Sequence, residues 1–89
     1  MPYQAPEYHP AFEEYCETIF ELAEDDLEVI QARIAERLEV SRPAVSEMIK
    51  RMEKEGLVTS DAEGISLTAD GRDLASSVVR RHRLAERFL

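Results

Sequence analysis

Eighty-nine residues suffice for one small domain with a modest core, 44% of them hydrophobic and 34% charged. They leave no room for an enzyme pocket behind a second layer of structure. The formal net charge of -8, taken whole, speaks against a nucleic-acid binder, because such domains usually carry a basic surface. Its distribution changes that reading. Residues 1–28 hold nine acids and no Lys or Arg, whereas residues 29–89 hold ten acids and eleven bases. The acidity belongs to the amino-terminal segment, and the remainder is near neutral with clustered arginines.

Other exclusions follow from the same chain. No apolar run approaches the length of a membrane span, and the opening MPYQAPEYHP lacks the basic and apolar regions of a signal peptide. One cysteine, Cys16, forms no internal disulfide and fits a reducing cytoplasm. Gly-rich phosphate loops, CxxC pairs and HExxH zinc patterns are missing, and no nucleophile–base pair is visible, so an enzyme is not expected.

In chain order, residues 1–10 hold three of the four prolines and read as an irregular arm, with Pro10 suited to the first turn of a helix. From Ala11, a face of Phe12, Tyr15, Cys16, Ile19, Leu22 and Ala23 recurs at helical spacing, and Glu24-Asp25-Asp26 closes that helix. A second helix is expected from Glu28 to Leu38, with Ile30, Ile34, Ala35 and Leu38 inward and Arg33 and Arg37 outward. Glu39-Val40-Ser41 is a short turn. Ser41 suits an N-cap and Pro43 the first turn of a third helix that runs to about Glu55 on Val45, Met48, Ile49 and Met52. Gly56 is placed for a left-handed C-cap. Leu57-Val58-Thr59 and Ile65-Ser66-Leu67, separated by residues 60–64, read as a β-hairpin. Thr68 caps a fourth helix from Ala69, with Leu74, Val78, Ala85 and Phe88 on its core side. That helix reaches Leu89 with no stop signal, so the chain is expected to end mid-helix, as a piece of a longer protein would.

Helix, tight turn, helix and hairpin in this order predict a mainly α winged helix-turn-helix over residues 11–71. The fourth helix, residues 69–89, then leads toward a further domain. In such a motif the N-terminal residues of the second helix of the pair read base edges in the major groove. With the core stripe inward, Pro43, Glu47, Lys50 and Lys54 point outward, flanked by Arg42, Ser46 and Arg51. Lys50, Arg51, Arg42 and the helix N-terminal amides suit phosphates, and Glu47 suits a cytosine amino group. Gln31 and Arg33, on the preceding helix, are placed for backbone contacts. The same charges also fit an ordinary solvated face or a protein-binding winged helix. Residues 55–71 contain no Lys or Arg, so helix three must supply most of any DNA affinity.

A second pattern has ligand spacing. Glu14 and Glu17 lie three apart on the outer face of helix one, and His82 and Glu86 four apart on helix four. Two carboxylates with a His/Glu pair make a mixed oxygen and nitrogen site suited to Mn2+ or Fe2+. The spacing equally fits a solvated acidic helix and a structural histidine. Cys16 turns toward the core and reads as a small buried apolar residue.

The segments EEYCETIFEL, ARIAERLEVSRPAVSEMIKRMEKEGLV and RRHRLAERFL resemble the diphtheria toxin repressor family of metal-dependent transcriptional repressors. The likeness runs from Phe12 to Leu89, and the last two segments are long and specific. The resemblance implies a cytoplasmic repressor that binds palindromic double-stranded operator DNA as a homodimer when a divalent metal ion is bound. On it, Ser41, Pro43 and Glu47 fall where family members contact bases, and Gln31, Ser46 and Arg51 where they contact the backbone. Glu47 departs from the glutamine of some members, which leaves the operator sequence open. His82 and Glu86 match ligand positions. Glu14 falls where iron-type members have methionine and manganese-type members an acid, and Glu17 matches a further manganese-type ligand. An oxygen donor in place of a soft sulfur points to Mn2+, with Fe2+ as the alternative. The family continues with a metal-binding and dimerisation domain, so the homodimer is expected of a full-length protein. Metal-gated DNA binding is the resulting expectation, beside a winged-helix regulator without a working metal site.

Overall fold

In the computed structural model, residues 10–87 are described, with side chains through Leu84. The elements are α1 (Pro10–Glu24), α2 (Gln31–Leu38), α3 (Arg42–Lys54), β1 (Val58–Asp61), β2 (Gly64–Leu67) and α4 (Ala69–Arg87). The strands pair antiparallel with Val58 opposite Leu67 and Asp61 opposite Gly64. This is the expected winged helix-turn-helix, with α4 laid principally against α1.

One core holds the elements together. Ile19 of α1, Ile34 of α2, Val45, Ile49 and Met52 of α3, Leu57 just before β1, and Ala75 of α4 are essentially inaccessible to solvent. The α1 stripe is buried from Phe12 to Leu22, and it includes Thr18. Ala23, read as inward, is exposed at the end of the helix.

Local capping explains most boundaries. Ser41 Oγ accepts the Ala44 N–H at 3.2 Å and starts α3. Its end is a Schellman motif: Leu57 N–H donates to Met52 O at 2.9 Å, Gly56 N–H to Glu53 O at 3.1 Å, and Gly56 sits at φ 74. Thr68 Oγ1 accepts the Gly71 N–H at 3.1 Å to cap α4, and donates to Gly56 O at 2.6 Å. Glu39 ends α2 at φ 56 although it is not glycine, and this left-handed residue makes the turn into α3 abrupt.

Two expected boundaries shift. The second helix begins at Gln31, not Glu28, because Ile30 is extended and the Val29 carbonyl accepts the Ile65 N–H of β2 at 2.9 Å. Residues 28–30 therefore lie against the wing, and Ile30 is exposed rather than inward. The hairpin is tighter than expected, because the strands extend to Asp61 and Gly64 and leave a two-residue turn. There the Glu63 N–H donates to Asp61 Oδ1 at 2.8 Å. The expected core residues Ala85 and Phe88, and the arm before Pro10, lie outside the described side chains.

Candidate nucleic-acid interface and metal centre

On α3, burial of Val45, Ile49 and Met52 turns the opposite face to solvent. Ser41, Arg42, Pro43, Glu47, Lys50, Arg51 and Lys54 are all exposed, and Ser46 is half-buried beside them. Gln31, the first residue of α2, is half-buried. The Ser41 hydroxyl uses a lone pair for the cap and keeps its proton as a donor. Of the expected pair of outer cations, Arg37 is exposed and Arg33 is not. Arg37 pairs with Glu21 at 3.5 Å, while Arg33 is half-buried with its Nε enclosed and unpartnered. At the wing tip, Asp61 and Glu63 are exposed, so this element presents acid where a phosphate contact needs a cation.

Across α1 and α4, His82 Nδ1 lies 2.9 Å from Glu17 Oε2. Next to it Arg81 donates to Glu13 Oε1. Glu13, Glu14, Glu17, Val78, Arg81 and His82, with Pro10, line one cavity of about 460 Å³. The structure thus brings His82 to the same cavity as Glu14 and Glu17, more than sixty residues earlier in the chain. The side chain of the fourth candidate, Glu86, is outside the described residues. Carboxylate oxygens and an imidazole nitrogen around one cavity are the donor kinds Mn2+ and Fe2+ take. No three His, Cys, Asp or Glu side chains among the described residues stand close enough to hold a metal ion. The described residues supply a carboxylate–imidazole pair rather than a closed set of three donors. The reading from sequence missed Glu13 and Arg81. No local signal pairs Glu13 with Arg81, because the two lie sixty-eight residues apart in the chain.

Two groups near this face have shifted acidity. Burial, and then the Glu14 carboxylate, raise the Tyr15 hydroxyl above its ordinary value. Burial alone pushes the Cys16 thiol up to about 12, which makes it an inert core residue.

The fold and an exposed recognition helix define a winged-helix protein, and comparison with known proteins narrows the class. The family described as "Iron dependent repressor, N-terminal DNA binding domain" matches residues 8–64. The diphtheria toxin repressor of Corynebacterium glutamicum is 51% identical over 78 residues, 86% of this chain and 34% of that protein. The iron-dependent repressor IdeR of Mycobacterium tuberculosis is 47% identical over the same shares of each chain. Among solved structures, the manganese regulator SloR superposes with a TM-score of 0.75 at 46% identity, covering 86% of this chain and 36% of that one. The chain belongs to the iron-dependent repressor family, through its N-terminal DNA-binding domain. That is a family of transcriptional repressors, not of enzymes. The chain spans about a third of the length of the relatives it matches.

Proposed function

We propose that the chain is the operator-binding part of a metal-dependent transcriptional repressor of metal-homeostasis genes, acting in the cytoplasm as a homodimer when full length. Residues 11–71 form its DNA-binding unit, and residues 69–89 lead toward the metal-binding and dimerisation domain of the full-length protein. The observation that carries this reading is the Glu17–His82 contact, which places an oxygen and a nitrogen donor at the junction of α1 and α4. Because α1 also packs on α2, a change in how α1 meets α4 reaches the helix-turn-helix.

On the DNA side, Ser41, Pro43 and Glu47 meet base edges, and Gln31, Arg42, Ser46, Lys50 and Arg51 hold the backbone. Their exposed or half-buried placement along one face supports these roles. On the metal side, Glu14, Glu17, His82 and Glu86 hold Mn2+, with Fe2+ as the alternative. A divalent cation held there would supply positive charge that offsets the negative charge of α1 and so favours binding to a polyanion. The manganese regulator among the relatives supports the first choice and the iron-dependent repressors the second. No helix among the described residues is long and apolar enough to cross a membrane. Mobility shift on operator DNA with chelator, Mn2+ or Fe2+ added in turn to the complete protein tests the reading. Metal-dependent retention is expected, and equal retention with chelator overturns it.

The acidic wing favours a second reading, a winged helix that binds protein instead of DNA. A retention that collapses between low and moderate salt decides for DNA.

A further inference from the structure

The metal and DNA readings leave the acidic run after Glu21 without a role. In three dimensions it does not stand alone. Glu24, Asp26 and Glu28, at the end of α1 and in the following connection, face Asp61 and Glu63 of the wing across a groove of about 700 Å³. The larger apolar side chains lining it are Ile19, Phe20, Leu27, Val29, Ile65 and Leu67. Leu27 is exposed and Phe20 half-buried, so part of this surface meets water.

Three features make this a built surface rather than an accident of composition. First, the walls are tied together: Ile65 N–H donates to Val29 O at 2.9 Å, and a Cβ on Gly64 would stand 2.7 Å from that same oxygen. Second, Asp26 adopts φ 56, which turns the connection out of α1. Third, the charge is one-sided. Among the described residues none of the five carboxylates is in an ion pair, although Glu13, Glu17 and Glu21 all have cationic or imidazole partners. The one cation lining the groove, Arg72, donates to Leu67 O at 3.3 Å. An apolar lining with five unpaired carboxylates repels nucleic acid and complements a cationic ligand with an apolar body.

We propose that this groove docks a short basic segment of a partner protein, with bulky apolar side chains seated on Phe20 and Leu27 and Lys or Arg groups on the five carboxylates. The volume suits a few anchoring side chains, and anchors in a pocket with a charged rim are the usual energetic pattern of such contacts. The inference stands on the groove alone and is independent of metal binding.

The test titrates the chain with a fluorescent twelve-residue peptide alternating Leu or Phe with Lys or Arg. Saturable binding is expected, with amide shifts in NMR spectra confined to the region of Phe20, Leu27, Ile65 and Leu67. Replacing the peptide's apolar residues by Ser weakens binding about tenfold or more, since the anchors are lost. Glu24→Gln with Asp26→Asn and Glu63→Gln weakens it about tenfold, each exposed pair contributing modestly. Asn tolerates the left-handed backbone at 26, so the fold persists. The control Glu36→Gln with Glu53→Gln and Glu55→Gln removes equal charge elsewhere and leaves affinity within about twofold. Equal loss in both triple variants, equal binding of the Ser peptide, displacement of the peptide by spermine alone at equal affinity, or shifts elsewhere overturn the proposal. The shift map uses the unaltered chain and decides even where a variant fails to fold.

Discussion

His82 Nδ1 on α4 lies 2.9 Å from Glu17 Oε2 on α1, a contact between residues far apart in sequence at the junction of two helices. The His82 side chain is 62% exposed and that of Glu17 20%, so solvent screens much of the attraction. A double-mutant cycle of His82→Ala and Glu17→Gln in metal-free protein is expected to give a coupling of about 0.2–1 kcal/mol. Thermal melts of the four proteins measure it. A coupling well above that range would mean the pair itself, and not the core beneath it, holds α4 onto α1.

Gly71, inside α4, is the position where one methyl group should cost most. A Cβ there would lie 2.1 Å from the Leu57 carbonyl oxygen, which is backbone already fixed by the Thr68 N–H at 3.0 Å. Gly71→Ala is expected to destabilise by about 2 kcal/mol or more, because α4 must move off the wing. Gly56→Ala meets nothing within 4 Å and carries only the strain of φ 74, about 1 kcal/mol. Urea melts that rank the two in the opposite order would refute this account of the α4–wing contact.

Cys16 makes stability pH-dependent in the alkaline range. Its folded thiol is pushed up to about 12 from an ordinary 9.0 by burial. The folded chain therefore holds the proton more tightly than the unfolded one. The stabilisation is fully present below pH 9 and falls as the pH rises toward the folded value, by about 1.4 kcal/mol per unit. Comparing wild type with Cys16→Ala isolates this from other titrations: the gap between their urea midpoints should shrink from pH 8 to pH 10. The same burial predicts slow alkylation by iodoacetamide in the folded protein and fast alkylation in urea.

Ser41 caps α3 and, in the proposed function, also meets DNA, and substitution can separate the two. Ser41→Ala removes the cap on Ala44 N and should cost about 1 kcal/mol of stability, along with operator affinity. Ser41→Asp restores a capping acceptor but places negative charge at the DNA face. Recovered stability with DNA affinity still lost is the expected result from melts and mobility shifts.

Lys50 and Arg51 are exposed on α3, and the wing offers no cation to share their load. Lys50→Gln and Arg51→Gln should each flatten the slope of log affinity against log salt by about 0.9, one phosphate contact apiece. An unchanged slope in either variant removes that residue from the interface.

Much of this was legible before any tertiary structure. Ser41, Thr68 and Gly56 announce their caps because an N-cap bond spans only three residues and a Schellman bond five. The Val45, Ile49 and Met52 stripe follows from helical period. The start of α2 was not legible, because the apolar pattern of Val29 and Ile30 suits a helix equally well. What decides against one is the Ile65 N–H, thirty-six residues away. At the candidate metal centre Glu14, Glu17 and His82 could be picked from residue type and spacing, but the Arg81–Glu13 clasp beside them could not.

The charge of -8 divides along the same line. The sequence alone determined that the acid is concentrated before residue 29, that the cations cluster later, and that helix, turn, helix and hairpin follow in order, since each is a property of composition or of neighbours a few residues apart. Only the tertiary structure decided where each acid went: Glu13 to Arg81, Glu17 to His82, Glu21 to Arg37, and Glu24, Asp26 and Glu28 to a rim shared with the wing. The physical reason is that core packing sets the positions of α1, α4 and the hairpin. Electrostatic partners are then whatever that packing brings within a few ångströms, and no local rule encodes them.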